Sequence, residues 1–339
     1  MRRKYLHQAL KGHNHIWRYF VVSVLAFVGY FAGLMPLKLV MLRIESEDNG
    51  IGASVINEFA QSMDFSLLGL SKNTGFLLTL FVFIFAMIFL ISAFAIFHKR
   101  SYTSLLTAAN RFRWKRFLFG FVFWMLMTAV AEYILYSLSP EHYTFSFELN
   151  KFIWLLLMSV FLLPIQTSFE EVFFRGYLMQ GLGSFLTYPI FALIITSLAF
   201  AAVHGANPEI AEFGLGIMMV YYIGAGVLLG LVTLLDDGLE LALGMHFAIN
   251  FFGAVLMGYE GAAIQTDSVF NTTELNVQHM VIAFIIMAVI FVIICNSIFK
   301  WQNWKYLTTD ISEERSLLEK GNTLNDDLAI DYATILNDE

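Results

Sequence analysis

The chain has 339 residues, 58% of them hydrophobic and only 14% charged, with a mean hydropathy of +0.68. Soluble domains carry about a quarter charged residues, so that class is excluded. The formal net charge of −7 is a poor guide to partners, because residues 310–339 alone hold nine acids against two bases. The lone cysteine, Cys295, lies in an apolar run and rules out an internal disulfide, a cysteine metal site and a CxxC redox motif.

Eight apolar segments follow one another along the chain, at 17–42, 74–97, 117–138, 151–175, 188–206, 213–235, 239–257 and 279–299. Each has about the length that a helix needs to cross the hydrocarbon core, roughly 20 residues. The runs are continuous and lack strict alternation, which argues against a β-barrel. The expected fold class is all-α, a polytopic transmembrane helical bundle of about eight spans. The first run is long and no small-residue cleavage site follows it, so it reads as a span and not as a signal peptide.

Lysine and arginine set the expected orientation. Arg2, Arg3, Lys4, Lys11 and Arg18 precede or open the first span. Lys99, Arg100, Arg111, Arg113, Lys115 and Arg116 fill the second loop, and Lys300 and Lys305 follow the last span. With eight spans these share one side. The loops 43–73 and 139–150 on the other side hold Glu45, Glu47, Asp48, Glu58, Asp64, Glu141 and Glu148. Both termini are therefore expected in the cytoplasm, and the chain in the cell (inner) membrane. The run Arg111–Arg116 mixes bases with aromatics and reads as an anchor to anionic lipid, not as a nucleic-acid site. The sequence divides into an amino-terminal part with three spans (1–150), a core (151–257), a loop with the last span (258–305) and an acidic tail (306–339). A short helix near 311–320 and then disorder are expected in the tail. Asn271-Thr272-Thr273 matches a glycosylation pattern.

Chemistry-bearing side chains concentrate in the core. Glu170, Glu171, Arg175, His204, His246 and Asn250 fall in or beside apolar segments, where ionisable groups are costly and mark function by default. Adjacent glutamates on a helix point about 100° apart, so Glu170 and Glu171 have separate tasks. Glu171 and Arg175 are i, i+4 with the acid first, the favourable order for a pair. Either Arg175 balances Glu171 and leaves Glu170 to the site, or it reaches across to order both. His246 and Asn250 share a helix face. Blander readings exist for each residue alone: snorkelling charges at a helix end, a packing histidine, or polar glue between helices. Six such residues together are harder to explain as glue.

Spans four and five should form a hairpin whose midpoint between Glu170 and His204 is residue 187, beside Tyr188-Pro189. Helical arms would put both residues at one level, each about 25 Å from the turn. Either the hairpin then protrudes from the membrane, or Gly176, Gly181 and Gly183 break an arm. One boundary near 176–190 is therefore expected to move.

Glu-Glu-x-x-x-Arg, then Phe200-x-x-x-His204, then His246-x-x-x-Asn250, in this order on apolar helices, resembles the CPBP (Abi) family. That family of intramembrane proteases includes the type II CAAX prenyl endopeptidases. The resemblance covers about 150–257. It implies an intramembrane endopeptidase acting on membrane-associated proteins or peptides, with Glu170 as general base, His204 positioning the water, and His246 with Asn250 stabilising the oxyanion. Glu171 and Arg175 would support them. No cofactor is favoured. The metal alternative has His204, His246 and Glu170 hold a divalent ion such as zinc, with Glu171 as base. A proton-coupled transporter or a non-catalytic membrane scaffold could use the same buried groups, although no internal repeat supports the transporter.

Overall fold

The computed structural model describes residues 4–47 and 52–320. Arg2, Arg3, Asp48 and the tail beyond residue 320 lie outside the described residues. The protein is an all-α bundle. Among the described residues, seven helices are long and apolar enough to cross a membrane, and a further apolar helix, Glu240–Leu256, is shorter.

The first apolar run breaks in two. Helix α1 (Ile16–Gly33) ends at Leu34, and α2 (Met35–Glu47) begins at the next residue. Pro36 lacks the N–H that would bond one turn back, so it suits the start of a helix better than its interior. Helix α2 and helix α3 (Gly52–Ser62) share a small cluster around Phe59, Phe65 and Leu68. Helix α4 (Lys72–His98) follows, with Ser71 accepting the Thr74 N–H at its start. A short α5 (Thr103–Leu106) lies in the basic loop before α6 (Trp114–Leu138).

The fourth span differs most from expectation. Instead of ending near residue 175, helical structure extends from Leu149 to Gly183. It comprises α7 (Leu149–Phe161), a bend at Leu162 before Pro164, α8 (Leu163–Glu171), a π-helical stretch Val172–Met179, and α9 (Gln180–Gly183). The glycines do not break the arm. Gly181 faces the Tyr19 ring and Gly183 faces Leu6, so their missing side chains let neighbours approach. The far end of this long helix meets the end of α4, where His98 Nε2 is 2.8 Å from the Tyr177 hydroxyl. Tyr5, Leu6 and Ala9 are buried in the same region. The C-terminal side adds Ile311 N–H to the Thr187 carbonyl and Arg315 to the Leu186 carbonyl, both at 3.0 Å.

Helix α10 (Pro189–Val203) returns from the hairpin with Pro at its first position, where the missing N–H has no intrahelical role. The six-residue α11 (Pro208–Phe213) precedes α12 (Leu215–Asp236). Helix α13 (Glu240–Phe251) passes into a π-helical stretch Phe252–Leu256, and α14 (Val277–Phe299) is the last span. A helix covers 312–320, as the sequence suggests.

At the end of the bundle opposite the hairpin, three short strands form a sheet in the order β1-β3-β2. Strand β1 (Tyr143–Phe145) runs antiparallel to β3 (Phe270–Thr272), and β2 (Met257–Tyr259) runs parallel to it. Asn271 sits in the middle strand, where its amide donates to Ser146 at 2.8 Å and accepts from Ser268 at 3.0 Å. The side chain of the glycosylation pattern is thus engaged within the sheet. The basic run also turns partly inward: Arg113 pairs with Glu240 at 2.5 Å and Asp236 at 3.0 Å.

Helices α6 and α13 meet through facing glycines. A Cβ on Gly244 would lie 2.8 Å from the Phe121 nitrogen, and one on Gly120 would lie 2.5 Å from the Leu241 carbonyl. Overpacking a tight contact costs about 1–3 kcal/mol. Gly244→Ala is therefore expected to lower the thermal midpoint of the detergent-solubilised protein, whereas Gly253→Ala, which meets open space, should leave it in place.

Candidate functional site

Helices α8, α10 and α13 and the adjoining π-helical stretch carry the six polar residues. Gln166 and Glu170 are one turn apart on α8, and Gln166 Nε2 donates to Glu170 Oε1 at 2.5 Å. Glu171 closes α8, and Arg175 lies one turn on, within the π-helical stretch. Their ion pair is 2.7 Å long, with both side chains fully buried. Arg175 also donates to the Gly226 carbonyl of α12 at 3.1 Å. Its guanidinium lies 4.4 Å from the Phe200 ring centre. Such π-helical turns widen the helix and are frequent at functional sites.

Helix α13 supplies the opposing groups. His246 Nδ1 lies 2.8 Å from Glu171 Oε1, and its Nε2 faces Glu170 Oε2 at 3.5 Å. A carboxylate that already takes the Arg175 donor is an acceptor, so Nδ1–H donates to it. Asn250 donates its amide to Gln166 Oε1 at 2.9 Å. Five of the six sequence-predicted residues therefore fall into two hydrogen-bonded groups, Arg175–Glu171–His246 and Glu170–Gln166–Asn250, which meet where His246 Nε2 faces Glu170 at 3.5 Å.

His204 stands at the end of α10. Its Nδ1–H donates to the Phe200 carbonyl at 2.7 Å, which leaves Nε2 as the acceptor of the neutral ring. The ring lies 4.3 Å from Phe200 and 4.7 Å from Tyr222. Phe200 in turn lies edge-on to His246, at 6.3 Å between ring centres. His204 thus joins the cluster through a shared aromatic ring and not by a direct hydrogen bond.

Of the two acids, Arg175 binds Glu171, while Glu170 faces His246 and Gln166. The sequence reading missed Gln166, Tyr222 and the part of Phe200. Gln166 had a signal, since it stands four residues before Glu170 on one helix face. Tyr222 had none, because it comes from another helix. Phe200 was visible only as a motif position.

The metal set was tested against these partners. Among the described residues no three His, Cys, Asp or Glu side chains are grouped to hold a metal ion. His246 turns Nδ1 to Glu171, and His204 turns Nδ1 to a carbonyl. Glu170, His204 and His246 do not converge as ligands.

Seven long apolar helices among the described residues, with a buried polar cluster packed between helices, define a polytopic membrane protein. The family model for type II CAAX prenyl endopeptidase Rce1-like proteins matches residues 150–252. The uncharacterized protein YyaK of Bacillus subtilis (strain 168) is 30% identical over 244 residues, 72% of this chain and 78% of that protein. The chain belongs to the Rce1-like family, which places it in general among CAAX-type intramembrane proteases. No solved structure matches it.

Proposed function

We propose that the chain is a glutamate-dependent intramembrane endopeptidase. Glu170 takes a proton from water held between it and His204 Nε2, and the hydroxide attacks the peptide carbonyl. General-base assistance of this kind is worth about 10²–10⁴-fold. The Asn250 amide donates to the developing oxyanion. Glu170 lies 3.5 Å from His246 Nε2, so the abstracted proton passes to His246, whose Nε2–H hydrogen-bonds the oxyanion and then transfers to the amine nitrogen as the C–N bond breaks and the carboxylic acid forms. Arg175 and Glu171 hold the His246 ring and stay outside the reacting atoms. The substrate is a membrane-associated protein or peptide, with a CAAX-type carboxyl terminus as the first candidate. The excess of bases at one end of the bundle supports a reading in which both termini are cytoplasmic and the run Arg111–Arg116 meets anionic lipid.

The observation that carries this reading is the buried cluster of two carboxylates, one imidazole, an arginine and two amides from α8, α13 and the adjoining π-helical stretch, with His246 Nε2 3.5 Å from Glu170. Comparative proteomics of host membranes with the natural chain and Glu170→Ala tests it. Membrane-associated proteins with shortened termini are expected only with the natural chain. Identical profiles would refute the endopeptidase. Rigorous removal of divalent ions with EDTA or phenanthroline should leave cleavage intact. Loss on chelation and recovery with zinc would overturn the metal-free mechanism.

A further inference from the structure

The proposed hydrolysis gives no task to the buried carboxylate of Glu209, which, unlike Asp236 and Glu240, has no arginine beside it among the described residues. Glu209 lies on α11, in the connection between His204 and α12, and is 6% exposed. Its Oε1 accepts the Ala263 N–H at 2.7 Å and the Tyr259 hydroxyl at 3.4 Å. Its Oε2 has no hydrogen-bond partner among the described residues. Both partners belong to the chain just beyond the helix that carries His246 and Asn250. Glu209 therefore ties the segment after His204 to the segment after Asn250.

Apolar contacts hold the connection too: Pro208 is buried, Ile210 and Phe213 pack beside Tyr222, and the Phe213 ring lies 6.0 Å from that of Tyr259. Glu209 adds the buried polar tie, while Ala206, Ala211 and Glu212 are exposed and Gly214, at φ 90°, makes a turn that suits glycine. The connection also reaches the site. Asn207 donates to the Tyr222 hydroxyl at 3.1 Å, and the Tyr222 ring packs on His204 at 4.7 Å. A shift of 205–214 would move the face against which His204 rests. Burying a carboxyl with one oxygen unpaired is costly, which argues for a task beyond filling space.

We propose that Glu209 is a positioning residue, clamping 205–214 to 257–263 so that His204 keeps its register with His246 and Asn250. This rests on the roles given above to those three residues. Burial holds the Glu209 carboxyl above the ordinary glutamate range, against the opposing pull of the Ala263 amide. The titratable groups facing it are the hydroxyls of Tyr221 and Tyr222 from α12 and of Tyr259 from β2. A raised carboxyl favours its neutral form in the closed clamp. The clamp is therefore full below the usual glutamate value of 4.5 and weakens as pH rises through the raised one.

Hydrogen exchange of the purified full chain in detergent, followed from acidic to neutral pH, tests this without a substrate. Protection of 205–214 and 257–263, corrected for intrinsic exchange, should fall together as pH rises. Glu209→Ala should expose both segments at every pH. Glu209→Gln, which keeps an acceptor and cannot ionise, should restore protection and abolish its pH dependence. In cleavage of a prenylated CAAX peptide reporter, Glu209→Ala should lower kcat by up to about 100-fold with little change in KM, and Glu209→Gln should recover it. Unchanged exchange in Glu209→Ala would overturn the proposal. So would equal loss of thermal stability in both variants with exchange rising throughout the chain. Glu170→Ala keeps the two readings apart: cleavage surviving that change refutes the hydrolytic site, while the exchange experiment still reads the clamp.

Discussion

Glu170→Gln should lower the rate of peptide cleavage by about 10²–10⁴-fold, the usual worth of a general base, with KM and thermal midpoint close to those of the natural chain. The substitution is nearly isosteric. Its amide oxygen can still accept the Gln166 Nε2–H that Glu170 Oε1 accepts at 2.5 Å, so the link to Asn250 survives. What disappears is a group able to take a proton from water. The His246 contact at 3.5 Å also loses its carboxylate, so the proposed proton path fails at its first step. The measurement is single-turnover cleavage of a prenylated CAAX peptide reporter in micelles, beside a thermal melt of each variant. A rate within about threefold of the natural chain would remove Glu170 from the chemistry, since no general base is worth so little.

Much of this site was legible in the sequence because it is built from local repeats of one helical turn. Glu171 with Arg175 and His246 with Asn250 are both i, i+4 pairs, and apolar flanks fix them as helical. Gln166 with Glu170 follows the same rule. Contacts between helices were not legible. Nothing in the spacing says that His246 turns Nδ1 to Glu171 and only Nε2 to Glu170, or that His204 meets the cluster through Phe200. The fold divides in the same way. Long apolar runs announce the spans, but composition does not mark where a run breaks. The first run is interrupted at Leu34 and the fourth at Leu162, each followed by a helix with proline at its second position. Three-residue strands give too short a pattern to read, so the sheet at the far end went unseen. Continuation of the fourth span to Gly183 depends on cover from Leu6 and Tyr19, residues more than 150 positions away in the chain.

Arg175→Ala should destabilise the protein more than any change at Glu170. Arg175 and Glu171 are both fully buried, and their 2.7 Å ion pair also supports His246. Removing one partner of a buried pair leaves an uncompensated charge, at about 3–5 kcal/mol. The Gly226 carbonyl loses its donor from Arg175 as well. Neutral replacement of the whole pair behaves differently, because apolar or uncharged groups of similar size avoid the desolvation that the pair must overcome. Glu171→Gln combined with Arg175→Met should therefore recover much of the stability lost in Arg175→Ala. Cleavage should stay low in the double variant, since the His246 Nδ1–H then meets an amide in place of a carboxylate. Urea or thermal unfolding in a fixed detergent measures the first effect, and reporter cleavage measures the second. If the double variant regained both stability and full turnover, the pair would be a structural tie alone. If Arg175→Ala melted with the natural chain, the buried pair would contribute nothing to the fold.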